Sequence, residues 1–203
     1  MQLLIEKRCD EEIMGRAKKF TDEQLWEATK GLLLEVGYDA FTISLLAEKM
    51  AVSRAVIYKY YPNKEELILQ FMLIKMEESV ALLSAIDCTQ SFLDMFRDML
   101  KRIFYMKDLH EILGLAYKIS NVNELIVEKK AKLSAMHHEM YKPLRCLIAK
   151  GKEENLIGQE KDDFLVLGFI FSAINIPNHS NLPEEQFLHE LENLLLNGIV
   201  IKK

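Results

Sequence analysis

The segment from Thr42 to Leu67 constrains the fold of this chain more than any other part of its sequence. It reads Thr-Ile-Ser-Leu-Leu-Ala-Glu-Lys-Met-Ala-Val-Ser-Arg-Ala-Val-Ile-Tyr-Lys-Tyr-Tyr-Pro-Asn-Lys-Glu-Glu-Leu. Thr42 and Ser53 are favourable N-cap residues, and the interval between them leaves room for only a short helix. Pro62 ends the second helix, because the residue before a proline disfavours the α conformation. The segment therefore predicts two short helices joined by a tight turn.

Small and apolar residues stand where two such helices must cross. Ala47 allows a close approach on the first helix, and Ile57 supplies an apolar contact from the second. The turn between them usually needs a residue that tolerates a positive φ, most often glycine, and this chain has Ala51 there. Because alanine costs about 1 kcal/mol in that conformation, we expect a slightly altered turn.

The rest of the chain shows helical periodicity and no strand alternation. Thr21 caps a helix that Gly37 should end, and Asn63 caps a longer one. Further helices are expected over about 91–106, 108–119, 124–154 with a kink or division at Pro143, 162–176 and 184–200. The predicted fold class is all-α.

Two helical domains account for this pattern. A three-helix domain over residues 19–79, with its helix-turn-helix at 42–61, precedes a larger helical domain over residues 80–203. The helix that begins at Asn63 connects the two domains.

The composition limits the possible functions. The 203 residues are 50% hydrophobic and 28% charged, which is ordinary for a globular protein. A net charge of -5 excludes a chain that is basic all over, but not a local basic face. The most apolar run, 164–176, is shorter than the roughly 20 residues that span a bilayer, so we expect a cytoplasmic protein. Its cysteines, Cys9, Cys88 and Cys146, lack metal-ligand spacing and are expected to be reduced.

Signatures of catalysis are missing from the sequence. It has no Ser/His/Asp set, paired-acid arrangement, phosphate loop or His-Glu-x-x-His motif. His137 and His138 are adjacent, so on a helix their side chains point about 100° apart and do not form a metal-binding pair. We therefore expect no enzymatic activity, no cofactor and no metal.

The segment around the two short helices resembles the tetracycline-repressor-like (TetR) regulators. The matching positions are Thr42, Ile43, Leu46, Ala47, Val52, Ser53, Ile57, Tyr58, Tyr60, Asn63, Lys64, Glu65 and Leu67. Met50, Ala51 and Tyr61 stand where the family more often has alanine, glycine and phenylalanine. The specific resemblance covers about residues 20–75, and beyond it only the helix layout and the ending Leu194-Leu-Leu-Asn-Gly198 are similar.

The resemblance implies a DNA-binding transcriptional regulator, most often a repressor in this family, that binds a palindromic operator in double-stranded DNA as a homodimer. The DNA-binding candidates are Thr42, Ser53, Arg54, Ala55, Tyr58, Lys59, Tyr60 and Lys64. Thr42 and Ser53 would meet phosphates at helix starts, and Tyr58 and Lys64 would clamp a phosphate. Arg54 would hydrogen-bond guanine and Ala55 would pack on a thymine methyl group. A basic cluster, Arg16, Lys18 and Lys19, would serve as a DNA-contacting arm.

Each of these residues also has a simpler interpretation. Thr42 and Ser53 can be helix caps only, Tyr58 a packing residue and Lys64 an ordinary surface lysine. The basic cluster can be a solvated run of charge. The DNA-binding interpretation depends on the agreement of many positions in one register.

In the TetR-like family that the first domain resembles, the C-terminal domain dimerises and usually encloses a small-molecule pocket, and this sequence permits both. The runs 164–176 and 187–200 are apolar on more faces than one core uses, which suggests a four-helix interface between two copies; a monomer core is the alternative. Residues 63–154 are rich in methionine and aromatic side chains, which suit a small apolar or aromatic effector. The ligand-binding candidates are Phe96, Met99, Tyr117, His137 and Tyr141, with His110 as a further polar candidate. Most of these residues can equally be plain core.

A different function remains open at this stage. The chain can be an all-helical interaction protein that a protein partner controls, with or without DNA. That alternative predicts no enclosed cavity and an exposed apolar groove. A helical enzyme is disfavoured for lack of catalytic groups.

Overall fold

The computed structural model describes residues 20–199, and the regular elements in that range are helices. The α-helices are α1 Asp22–Ala40, α2 Ile43–Lys49, α3 Arg54–Tyr58, α4 Lys64–Ser84, α5 Phe92–Tyr105, α6 Lys107–Leu113, α7 Glu124–Glu139, α8 Arg145–Glu153, α9 Asp163–Ser172 and α10 Glu184–Ile199. Short 3-10 helices cover Gly114–Lys118, Lys142–Leu144 and Ala173–Asn175. The prediction of an all-α fold is confirmed.

Local sequence signals explain the first three helices. The Thr21 hydroxyl accepts from the backbone N–H of Gln24, whose side chain accepts in return from the backbone N–H of Thr21. These two reciprocal bonds satisfy donors that the first turn of α1 leaves open. Gly37 has φ 71° and interrupts α1 where the sequence predicts an end, although helical structure resumes up to Ala40. Helix α2 packs against both α1 and α3.

The chain divides into two compact units between Leu67 and Ile68, inside α4. This division lies earlier in the same helix than the domain boundary expected after residue 79. Asn63 caps α4, since its side-chain oxygen accepts from the backbone N–H of Glu66 at 2.7 Å.

In the second unit, α5 forms the centre of the packing. It packs against α8 and α10, and α9 packs against α8. Phe92, Met95, Phe96 and Met99 of α5 are fully buried. The guanidinium of Arg97 donates to the carboxylate of Glu192 at 2.7 Å, which ties α5 to the last helix.

Three of the expected helices are shorter or divided. The helix predicted over 124–154 is two α-helices, α7 and α8, separated by a 3-10 turn that contains Pro143. Proline lacks a backbone N–H and clashes with the preceding turn, so the division falls at the predicted place. The helices predicted over 108–119 and 162–176 both finish in 3-10 turns.

The prediction of reduced thiols is wrong for two cysteines. Cys88 and Cys146 are joined by a disulfide across 58 residues of sequence. The expectation rested on sequence spacing, which does not reveal that the loop after α4 lies against α8. Cys9 lies outside the described residues.

None of the described helices is both long enough and apolar enough to cross a membrane.

Candidate functional site

The turn between α2 and α3 positions the second helix of the pair. Ala51 has φ 53°, and the N–H groups of Ala51 and Val52 donate to the carbonyls of Glu48 (3.0 Å) and Ala47 (2.9 Å). This is the helix-ending arrangement that usually carries glycine at the residue with positive φ. The expectation of an altered turn is therefore wrong, because Ala51 adopts the left-handed conformation itself.

The contact between α2 and α3 is built from two buried residues. Ala47 is 2% exposed and Ile57 is fully buried, as their positions in the sequence predict. A small side chain on α2 lets the two helix backbones approach closely, and Ile57 fills the core beneath them. The orientation of α3 is therefore set by packing on one side only.

The opposite side of α3 is open to solvent. Its exposed candidates are Arg54, Ala55, Tyr58 and Lys59. Tyr60 is half-buried just beyond the helix, where its ring stands edge-on to that of Phe20 with centroids 5.9 Å apart. The stretch from Arg54 to Tyr60 carries two cations and no carboxylate, so this short helix presents a locally basic face in a chain of net charge -5.

The two candidate hydroxyl groups at helix starts differ in what they bind. The Thr42 hydroxyl accepts from the backbone N–H of Leu45 at 3.1 Å, so it is used as a cap for α2. Ser53 stands at the start of α3 and makes no such cap hydrogen bond with its side chain. Both residues are exposed. Of the pair, Ser53 has the hydroxyl that the helix itself does not use.

Lys64 binds backbone oxygens of the same unit. Its ammonium donates to the carbonyls of Tyr38 (3.0 Å) and Phe41 (3.2 Å), and it lies 4.4 Å from the centroid of the Tyr38 ring. A cation at the end of α1 is favourable because the last carbonyls of a helix have no partners within it. The structure thus gives Lys64 a structural role, and the phosphate clamp with Tyr58 stays a prediction.

The expected DNA-contacting arm, Arg16, Lys18 and Lys19, lies outside the described residues.

The second unit contains a cavity of about 510 Å³. This lies within the usual size range of small-molecule sites, about 300–1,000 Å³. Its walls come from α4, α5, α6, α7, α9 and the 3-10 turns beside them. The lining residues are Met76, Ser79, Ile103, Met106, Leu109, His110, Leu113, Gly114, Ala116, Tyr117, Lys130, Leu133, Ser134, His137, Met140, Phe171 and Ile174.

The structure brings only some of the predicted ligand-binding residues to this cavity. Tyr117 and His137 line it, and so does His110. Phe96 and Met99 lie elsewhere in the core, fully buried on α5. Tyr141 packs edge-on against Phe171 at a centroid distance of 5.3 Å. Helical periodicity identifies buried faces, but it does not distinguish a core contact from a cavity wall.

Sequence reasoning missed several polar wall residues, namely Ser79, Lys130 and Ser134. Lys130 belongs to a lysine-rich stretch of α7, Glu-Lys-Lys-Ala-Lys, in which no residue stands out by type. Ser79 is 4% exposed, and its hydroxyl donates to the Lys75 carbonyl at 2.8 Å. No signal in the sequence alone would have selected these residues.

Both histidines of the cavity wall are shifted towards the neutral form. Burial lowers the pKa of His110 below its usual value near 6.5. Burial lowers the pKa of His137 as well, with smaller contributions from the nearby His138 and His110. Burial disfavours the charged imidazolium, so near neutral pH these rings supply hydrogen bonds rather than charge.

Apolar side chains also lie on the outside of the second unit. On α9, Phe164 is 54% exposed, Leu165 is 72% exposed and Phe169 is 49% exposed, while Leu194 of α10 is 68% exposed. Large exposed apolar side chains on neighbouring helices are typical of a surface that another molecule covers.

The first unit and the start of α4 match a known family of DNA-binding domains. Residues 25–71 match the model of "Bacterial regulatory proteins, tetR family". The chain is also 33% identical over 93 residues to an uncharacterized HTH-type transcriptional regulator of Haemophilus influenzae. That match covers 45% of this chain and 50% of the relative, so the chain spans about half the length of this curated relative.

Solved structures share the fold over most of the chain. A regulatory protein in the tetR family from Rhodococcus aligns with a TM-score of 0.72 at 15% identity and covers 91% of this chain and 100% of its own. The transcriptional regulator FadR from Bacillus subtilis, solved in complex with stearoyl-CoA, aligns with a TM-score of 0.65 at 19% identity and covers 88% of this chain and 100% of its own. At these identities the likeness concerns the fold.

Proposed function

We propose that this chain, a member of the tetR family of bacterial regulatory proteins, is a DNA-binding transcriptional regulator that responds to a small ligand. The observation that carries the proposal is the exposed basic face of α3, held by the Ala47–Ile57 contact and by the turn at Ala51. A helix of this kind enters the major groove and places its side chains against base edges.

The proposed contacts follow the exposure of α3. Arg54 has the bidentate geometry that suits guanine, and Ala55 offers a methyl group to thymine. Ser53 and Lys59 add a hydroxyl and an ammonium that suit phosphate oxygens. Tyr60 contributes less, since its ring already packs on Phe20.

We infer that two copies bind one palindromic operator. The exposed side chains Phe164, Leu165, Phe169 and Leu194 provide an apolar surface for a two-fold contact between α9 and α10 of each copy. Two subunits then place their α3 helices at half-sites about one DNA turn, or a multiple of it, apart.

Ligand control is proposed to pass through α4. This helix begins at Lys64 and carries Met76 and Ser79 in the wall of the cavity. A ligand that contacts Met76 and Ser79 can favour one position of α4 over another, and it shifts the balance only by its difference in affinity for the two states. The cavity of about 510 Å³ supports control by a small ligand rather than by a protein partner.

DNA binding is tested by fluorescence anisotropy with the DNA that flanks the gene, over a series of salt concentrations. We expect specific binding that weakens steeply with salt, because phosphate contacts release counterions. Arg54→Ala should reduce the preference for the specific site by about tenfold or more, with weaker effects on random DNA. Binding with no site preference and no dependence on salt would contradict the proposal.

Lys64→Ala provides the matched comparison. If Lys64 contacts a phosphate, the variant weakens binding to specific and random DNA alike and lowers the slope of the salt dependence by about one. Because Lys64 also holds the carbonyls of Tyr38 and Phe41, its melting temperature is measured alongside. A lower melting temperature with unchanged salt slope assigns Lys64 to structure alone.

A further inference from the structure

The polar groups of the cavity wall have an uneven charge balance. The titratable residues among the lining residues are His110, Tyr117, Lys130 and His137. Lys130 is the only lysine or arginine among the lining residues, and the lining contains neither aspartate nor glutamate. A wall with one cation and no anion is poorly suited to a cationic ligand and well suited to an anionic one.

The environment of Lys130 leaves its charge without a neutralising partner in the wall. Its ammonium donates to the Ile119 carbonyl at 2.9 Å and to the side-chain oxygen of Asn121 at 3.1 Å. Both acceptors are uncharged. An ammonium has three N–H donors, so these two bonds leave one donor for a further acceptor. The two bonds also restrict the side chain, which lowers the entropic cost of using it to bind a ligand.

The remainder of the wall is apolar and adaptable. Met76, Met106 and Met140 line the cavity together with leucine and isoleucine side chains. Methionine fits irregular apolar shapes, so this part of the wall accepts a hydrocarbon body without demanding one outline. The Ser79 hydroxyl already donates its proton to the Lys75 carbonyl, so it does not offer this proton to a ligand.

We infer that the ligand is an organic acid with an apolar body and a single carboxylate, and that Lys130 binds the carboxylate. This inference rests on the proposed ligand-responsive function and names the class of its ligand. A single lysine suits a single carboxylate, and charge-assisted hydrogen bonds are among the strongest that a site can offer. His110 and His137 add N–H donors to the same anion when it is bound.

The headgroup requirement is tested by calorimetric titration of the full chain with decanoate, decanol and decyltrimethylammonium. The two ionic probes are kept below their micelle concentrations and decanol below its solubility limit. The three probes share one hydrocarbon chain and differ in charge. We expect decanoate to bind at least about tenfold more tightly than decanol and the cation to bind most weakly. Equal affinity of decanoate and decanol, tighter binding of the cation, or no saturable binding of decanoate would overturn the inference.

Lys130→Gln tests the assigned residue, with Lys132→Gln as its control. Lys132 lies on the same helix but pairs with Glu77 at 3.1 Å on the surface and does not line the cavity. Lys130→Gln should weaken decanoate binding by about tenfold and leave decanol unchanged, whereas Lys132→Gln should change neither. Unchanged decanoate affinity in a folded Lys130→Gln protein would overturn the assignment.

Because Lys130 also binds the 119–121 segment, Lys130→Arg is a necessary second variant. It retains the charge, so decanoate should keep its preference over decanol even if Lys130→Gln fails to fold. Loss of that preference in a folded Lys130→Arg protein, at unchanged decanol affinity, would contradict charge recognition at this position.

The pH dependence tests whether the two histidines contribute to the anion site. An anion bound beside His110 and His137 favours their protonated forms, so by linkage a lower pH favours the bound anion. Decanoate affinity should rise between pH 7.5 and 6, whereas decanol affinity should stay flat. A flat profile for both probes would exclude the histidines from the anion site.

Failure of this inference is distinguishable from failure of the proposed function. Operator binding by the ligand-free protein is measured separately from probe binding. Specific DNA binding without anion preference overturns only the ligand class. Decanoate binding that leaves operator affinity unchanged confirms an anion site and overturns ligand control of DNA binding.

Discussion

The two units of this chain are built from the same kind of element but are held together over different sequence distances. In residues 20–67, the caps and the turn that shape the site join near neighbours. The Thr42 hydroxyl accepts from the backbone N–H of Leu45, and the N–H of Val52 donates to the carbonyl of Ala47. In residues 68–199, the defining links join Cys88 to Cys146 and Arg97 to Glu192, 58 and 95 residues apart. The caps and the turn of the first unit are therefore specified locally, although Lys64 also binds Tyr38 and Phe41, 26 and 23 residues away. The second unit depends on links that form only in the folded chain.

The same contrast extends to the polar groups. The first unit turns Arg54 and Lys59 outward on α3, where they meet solvent or DNA. The second unit places Lys130 and two histidines in the wall of a cavity. Cations on an exposed helix face suit a large polyanion, while a cation in a cavity wall suits a small ligand.

Breaking the disulfide between Cys88 and Cys146 should have the largest effect on stability. Cys88→Ser removes the disulfide, and closing a loop of 58 residues is worth about 4 kcal/mol in the chain-entropy model. We expect the free energy of unfolding of the oxidised protein, measured by urea denaturation, to fall by up to that amount. In the presence of a reductant the variant and the original chain should be equally stable. Equal stability of the variant and the original chain without reductant would mean that the disulfide does not stabilise the second unit.

Relieving the backbone strain in the turn between α2 and α3 should increase stability, by less than the disulfide contributes. Ala51 has φ 53°, where alanine is disfavoured by about 1 kcal/mol, so Ala51→Gly should raise the free energy of unfolding by about that amount. Ala55→Gly is the control, because a glycine inside α3 should lower the free energy of unfolding by a similar amount. If both variants are destabilised, the positive φ at Ala51 carries no strain that glycine relieves.

The smallest expected effect is on the stability of the fold at alkaline pH. Burial, with a contribution from the charge of Asp22, raises the pKa of Tyr61 from 10.0 to about 12. The folded protein then holds the phenol proton more tightly than the unfolded chain, so this group destabilises the fold as the pH rises from about 10 towards 12. Tyr61→Phe keeps the edge-on contact with Trp26, whose ring centroid is 5.9 Å from that of Tyr61, and should flatten the fall in melting temperature over this range. An unchanged slope would mean that the Tyr61 phenol has the same pKa in the folded and unfolded states.

Most of the first unit could be predicted from the sequence, because its signals act over a few residues. The caps at Thr21, Thr42 and Asn63 bind the backbone N–H groups three residues later, as their residue types indicate. The positions of Ala47 and Ile57 follow from helical periodicity. Even the unusual residue Ala51 was identified as the turn position, and only its conformation needed the structure.

The helices of the second unit could be predicted, but its site could not. Periodicity locates α5 and marks Phe96 and Met99 as inward, yet it does not say whether they face other side chains or empty space. Lys130 and Ser79 are ordinary residues by type, and they matter because α4 and α7 both contribute to one cavity wall. The disulfide is likewise invisible in spacing, since nothing local relates residue 88 to residue 146.

The sequence by itself determined the helical class, the helix caps, the turn and the exposed basic face of α3, because each depends on φ, ψ or hydrogen bonds within a few residues. Only the tertiary structure decided which methionines line a cavity, which lysine faces it and which cysteines meet. Those outcomes depend on distances between segments far apart in the chain, and a residue's type and periodicity carry no measure of such distances.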